Sequence, residues 1–156
     1  MTASRLRVED VRVFSDAAMA FFQTTTGVPA QIRTAYLLQD GGEPVREDFT
    51  GVIEVGGRYR GQVCFSAPRG MLTHVLLLLG ERDYSDASHR DIVGEIANQM
   101  TGQARRFFGE GLHIRPPRVY AREQGPCRLA AAMPPLVIPL AWDRYEAHLQ
   151  VAMQPA

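Results

Sequence analysis

The sequence predicts an α/β sandwich of the α+β kind: an antiparallel sheet packed by three helices, in the order α-β-β-β-α-α-β-β-β. Three observations carry this reading. Apolar residues recur at helical spacing in three segments, alternation marks several short extended ones, and the two kinds come in runs. The chain has 156 residues, 46% of them apolar, and no stretch resembling an interdomain linker, so one domain over residues 1–156 is expected.

The first helix is read from Val8 or Asp10 to Thr25, where Val11, Phe14, Ala18, Phe21 and Phe22 share a face; Gly27 and Pro29 end it. Three extended segments follow, at residues 31–39, 48–55 and 58–66. In the last two, Phe49, Ile53 and Val55 answer Tyr59, Val63 and Phe65 across Gly56-Gly57, a connection suited to the positive φ of a tight turn. Ser66 and Pro68 announce a second helix, with the proline expected in its first turn, where a missing N–H costs nothing. Met71, Leu72, Val75, Leu76 and Leu79 form its apolar stripe and Gly80 closes it. A third, longer helix begins near Ser85 or Ser88, both good N-caps, and runs to about Phe108. Extended signals return at residues 112–114, 118–122, 128–133, 136–141 and 146–153, with Pro116-Pro117 and Pro134-Pro135 marking strand ends. No internal repeat is visible in the sequence.

Composition excludes several functions. Basic and acidic residues number 17 each, so the excess of positive charge expected of a nucleic-acid binder is missing, and neither nucleic acid nor membrane is an expected partner. Every basic residue is arginine, which removes lysine nucleophiles and the lysine-dependent phosphate loop of nucleotide hydrolases. Cys64 and Cys127 lie in apolar, strand-like surroundings without Cys-x-x-Cys spacing and are read as reduced and buried. The start of the chain carries Arg5, Arg7, Glu9 and Asp10, so no signal-peptide core is expected. The longest apolar run, from Val75 to Leu79, is far short of the roughly 20 residues that span a bilayer. A soluble, cytoplasmic protein is expected.

The third helix carries the candidate functional residues. At about 100° per residue, Ile92, Val93, Ile96, Met100, Ala104 and Phe107 fall in one core stripe. Asp91, Glu95, Asn98 and Gly102 cluster on the other side, with Glu95 and Asn98 one turn apart and neighbours on the surface. A Glu-x-x-Asn spacing alone arises by chance in about one chain in three of this length. Two choices here are unfavourable for a helix, however. Asn98 is the only asparagine in the chain and stands mid-helix. Gly102 stands there too, where glycine costs roughly 1 kcal/mol against alanine.

The segment Gly94-Glu95-Ile96-Ala97-Asn98-Gln99-Met100-Thr101-Gly102 resembles the signature helix of the CheX/CheC/FliY phosphatases, an acidic residue, two others, then asparagine, with glycine following. Residues 14–27 are similar to that family's opening helix, and residues 51–65 to its glycine-punctuated hairpin. Residues 114–119 resemble the proline pair after the signature helix, and residues 134–140 the late strand. One Glu-x-x-Asn is present, so the chain resembles CheX rather than the two-site CheC. A final hairpin at Asp143-Arg144 departs from the pattern in having no glycine.

The resemblance implies a phosphatase acting on the aspartyl phosphate of a receiver domain. Asn98 would position the attacking water and Glu95 would pair with the receiver's lysine. Asp91 and Gly102 would belong to the docking surface, where the glycine allows close approach. It implies no cofactor of the chain's own, Mg²⁺ being carried by the phosphorylated receiver, and a homodimer paired through sheet edges, which residues 136–141 and 146–153 would offer. A catalytically silent adaptor for a receiver or a flagellar-switch partner is the alternative.

Other candidates are read as structural. His74, His89, His113 and His148 lack metal-ligand spacing, so no metal is expected. Ser85, Asp86 and Ser88 read as caps, and Trp142 as turn packing.

Overall fold

A computed structural model describes residues 8–38, 45–122 and 135–156. Among these described residues, three helices pack on an eight-stranded antiparallel sheet. Helix α1 (Val8–Thr26) precedes β1 (Ala30–Ile32), β2 (Tyr36–Leu37), β3 (Phe49–Gly57) and β4 (Tyr59–Ala67). Helices α2 (Arg69–Leu78) and α3 (Asp86–Phe108) follow. Strands β5 (Leu112–Ile114), β6 (Arg118–Ala121), β7 (Leu136–Trp142) and β8 (Tyr145–Pro155) complete the order. The sheet runs β1-β7-β8-β4-β3-β5, with β2 also on β7 and β6 also on β3.

The α+β class and the three helices agree with the sequence reading; several details differ, among them Leu79, which caps α2 and is exposed rather than on its apolar stripe. The single segment expected at 31–39 is two short strands, both on β7, so the first half has four strands. The tight turn is Arg58 preceded by Gly57 at φ 88, one residue later than the glycine pair suggested. Pro68 is the N-cap of α2 rather than part of its first turn, and Ser66 stays in β4. Strands β7 and β8 lie inside the sheet, so they supply no edges; among the described residues the outer positions belong to β1, β2, β5 and β6. The strand expected at residues 128–133, Pro134 and Cys127 lie outside the described residues.

The missing glycine in the last hairpin has a simple substitute. Asp143 itself takes φ 53, a left-handed conformation that aspartate tolerates better than most side chains. Trp142 is more than turn packing. It is fully buried, tilts against Phe22 at 5.5 Å and donates its indole N–H to the Val28 carbonyl at 2.9 Å.

The topology repeats although the sequence does not. A shift of 82 residues carries Thr26 onto Phe108, Gly27 onto Gly109, Ala30 onto Leu112 and Tyr36 onto Arg118. Gly27 and Gly109 share a left-handed φ, 76° and 88°. Each half sends its two short strands to the other half, β1 and β2 onto β7, β5 and β6 onto β3. Strands β4 and β8 pair antiparallel between them. A half whose edge strands pair with the other half cannot complete its own sheet alone.

Helix α3 is sunk deeply into this frame. Its buried residues are His89, Ile92, Val93, Gly94, Ile96, Ala97, Met100, Thr101 and Ala104, an arc far wider than the usual amphipathic stripe. Two glycines permit it. A Cβ on Gly51 of β3 would lie 2.6 Å from the Val93 carbonyl oxygen, and one on Gly94 would lie 3.1 Å from Val119 and 3.4 Å from Pro117. Gly51 and Val119 are register partners across β3 and β6, so the two glycines and the valine meet at one point. Phe107, expected on the core stripe, is 59% exposed. In this last turn Phe108 makes the packing contacts instead, with Phe14 at 5.9 Å and Tyr59 at 5.1 Å.

Candidate functional site

With so much of α3 buried, its solvent-facing strip is narrow. Asp91 and Glu95 are exposed, and Asn98 and Gly102 are partly exposed. The structure therefore brings together all four residues singled out in the sequence. The strip is held from the start of the helix. Ser85 is the N-cap, its hydroxyl accepting from the Ser88 N–H at 3.3 Å. Asp86 binds the Arg69 guanidinium at 2.7 Å, joining the first turns of α2 and α3. That arginine holds the Asp86 carboxyl below its ordinary range, and the Ser85 N–H does the same for Asp83. Arg105 and Arg106 stand in the last turn, where positive charge complements the helix dipole.

His89 is buried between α3 and its neighbours. Its Nδ1 lies 2.8 Å from the Ser85 carbonyl oxygen, its Nε2 lies 2.6 Å from the Thr73 hydroxyl, and its ring stacks on Phe49 at 5.6 Å. A carbonyl oxygen only accepts, so Nδ1 carries a proton. The satisfied polar partners and the stacked ring make His89 a structural joint. His74 packs on Trp142 and Tyr145, and His148 lies between Glu47 and Glu146. Cys64 is buried. Among the described residues no set of three or more His, Cys, Asp or Glu is placed to hold a metal, and no helix is long and apolar enough to cross a membrane.

Within the strip, Glu95 Oε1 accepts from the Gln99 amide at 2.8 Å. Asn98 makes no side-chain hydrogen bond to the described residues, so its carboxamide is available to both a donor and an acceptor. The two mid-helix glycines differ in kind. Gly94 is required by the chain's own packing, whereas a Cβ on Gly102 would meet nothing among the described residues within 4 Å. The helix accepts the propensity penalty of Gly102 without any internal packing gain. Sequence reasoning found that notch but missed the structural pair Gly51 and Gly94, although Gly94 stands mid-helix and carries the same signal.

Comparison with known proteins matches this architecture. The family model "Chemotaxis phosphatase CheX" matches residues 49–141. No curated protein matches the chain. Among solved structures, the chemotaxis protein CheX from Vibrio vulnificus superposes with a TM-score of 0.79 at 22% identity, covering 94% of this chain and 99% of that one. CheX from Desulfovibrio desulfuricans gives 0.80 at 19% identity, covering 96% and 100%. The CheX–CheY–BeF3–Mg²⁺ complex from Borrelia burgdorferi gives 0.75 at 16% identity, covering 94% and 99%. Matched by the family model over more than half its length, the chain belongs to the chemotaxis phosphatase CheX family.

Proposed function

We propose that this chain hydrolyses the aspartyl phosphate of a CheY-like receiver domain, with Asn98 and Glu95 as the working pair. The observation that carries the reading is the unpartnered carboxamide of Asn98, one turn from an exposed carboxylate and beside an open glycine, in a chain of the CheX family. A CheX of the same fold has been solved with CheY, BeF3 and Mg²⁺, which supports a receiver as the partner class.

In this reading the receiver's Mg²⁺ and lysine already surround the phosphoryl group, and the chain contributes no cofactor. A water oxygen forms a new bond to phosphorus as the bond to the aspartate oxygen breaks, giving free carboxylate and inorganic phosphate. Such transfers need positioning and electrostatics more than covalent help. The Asn98 carboxamide accepts a hydrogen bond from the water through its oxygen and donates one through its nitrogen, holding the water in line. Glu95 pairs with the receiver's lysine by a charge-assisted contact. Gly102 lets the receiver surface approach closely, and Asp91 adds negative charge to the docking strip.

A silent adaptor would have no use for the Asn98 carboxamide, which favours the enzyme. The test is to incubate the protein with a phosphorylated CheY-like receiver and follow phosphate release. Release faster than that of the receiver alone is expected; an unchanged rate across CheY-like receivers would overturn the reading. A homodimer belongs to the same proposal, with light scattering expected to give about twice the chain mass of 17.3 kDa.

A further inference from the structure

Glu95 stands on an exposed helix face, where a free glutamate samples many rotamers and must lose that freedom on docking. Its one side-chain hydrogen bond among the described residues comes from Gln99, one turn later, at 2.8 Å. The position four residues after a glutamate is where a cationic partner stabilises a helix well. This chain uses arginine 17 times, yet it places a neutral amide there. The difference matters chemically. An arginine at residue 99 would orient Glu95 but also neutralise it and compete with any incoming cation. A primary amide orients the carboxylate through Oε1 and leaves both its charge and Oε2 free.

We infer that Gln99 is a positioning residue for the docking step, holding Glu95 in a charged, pre-set rotamer for a cationic group of the partner. This rests on the proposed role of Glu95. The two residues lie on the edge of the strip away from Gly94. At about 100° per residue Asn98 stands about 40° from Gly94, Glu95 about 100° and Gln99 about 140°. The amide thus stands on the far side of Glu95 from Asn98. It steadies the carboxylate without occupying the space beside the carboxamide where a water would sit.

The test uses the full-length protein and a CheY-like receiver, phosphorylated on its aspartate, that the parent protein dephosphorylates. Three variants, Gln99→Met, Gln99→Arg and Asn98→Ala, are compared by KM, kcat and melting temperature. Gln99→Met keeps length and helix propensity but removes the donor; KM should rise about three- to tenfold with kcat within about twofold. Gln99→Arg supplies an ion-pair partner for Glu95, so the melting temperature should hold or rise while KM rises further than in Gln99→Met. In a Glu95→Ala background both Gln99 substitutions should become silent. A purely structural Gln99 would not give rising stability with falling affinity. If Asn98→Ala is slow while both Gln99 variants keep the parent KM, the positioning role is wrong and the site stands. If Asn98→Ala is as fast as the parent, the site itself is wrong and the inference falls with it.

Discussion

Helices α1 and α3 hold equivalent places in the two halves of the molecule, yet they sit on the sheet differently. α3 approaches β3 closely because Gly51 and Gly94 remove the side chains between them. α1 instead buries large rings, Phe14, Phe21 and Phe22, with Phe22 reaching Phe65 at 6.3 Å and Trp142 at 5.5 Å. The same shift of 82 residues that aligns the halves carries Glu9, Val13, Asp16 and Ala20 onto Asp91, Glu95, Asn98 and Gly102. On α1 a half-buried valine packed on the core stands where Glu95 does, and an exposed aspartate where Asn98 does. With Arg12 and Phe107, Glu9, Val13 and Asp16 line an open groove of about 490 Å³. The backbone supplies two similar platforms, and side chains equip one of them. Gln99 maps onto Ala17, which is buried, so the positioning amide has no counterpart either.

This contrast can be broken from the packing side first. Ile96→Ala, beneath the strip, should destabilise the fold by about 2–5 kcal/mol through the cavity it leaves, measured as a shift in the denaturant midpoint. Phe14, its counterpart on α1, should be at least as sensitive, because a buried phenylalanine cut to alanine costs about 3–5 kcal/mol. Equal tolerance at both sites would show that neither helix is anchored as described.

On the exposed side the two helices should part company. Glu95→Ala should weaken receiver docking by about 1–3 kcal/mol, with a loss that shrinks as salt rises. Val13→Ala, at the matching place on α1, should leave docking unchanged; binding titrations at two salt concentrations would show both. Gly102→Ala should do something different again. Helix propensity favours the alanine by roughly 1 kcal/mol and none of the described residues obstructs the new Cβ, so the melting temperature should rise. Receiver affinity should fall. A stabilised variant with unchanged affinity would remove Gly102 from the docking surface.

The smallest expected effect concerns pH. The folded-state carboxyl of Asp86 is held below its ordinary range, chiefly by Arg69, and it is exposed. A lowered folded-state value means the contact stabilises the fold at neutral pH. That contribution is lost as pH falls below about 4 and through the lowered value. Thermal melts of the parent and Asp86→Asn should differ slightly at pH 7 and converge in acid.

Much of this was legible in the sequence, for identifiable reasons. The strip on α3 could be read because a helix wheel fixes which residues share a face, and because Asn98 and Gly102 are poor helix choices. The end of α3 was harder. Phe107 fits the stripe by angle, but the packing partners of the last turn, Phe14 and Tyr59, lie on the side of Phe108. The Gly51–Gly94 approach joins residues far apart in the chain, and a glycine leaves no periodic trace. Strands of two to four residues, such as β2 and β6, are too short to alternate visibly, so the exchange of edge strands between halves, and with it the repeat, stayed hidden. The interior positions of β7 and β8 follow from that exchange, because β1 and β2 cover the edge that β7 would otherwise present.

The central claim is that Asn98 is a chemical group rather than a structural one, and one substitution tests it. Asn98→Ala should slow receiver dephosphorylation by on the order of 10²-fold or more. The melting temperature should hold or rise slightly, since alanine is the better helix former by about 0.5 kcal/mol. Single-turnover phosphate release from a phosphorylated CheY-like receiver, measured beside a thermal melt, reads both quantities. Slow hydrolysis by a fully folded variant is the expected result. Hydrolysis at the parent rate, or a variant that unfolds, would contradict the account.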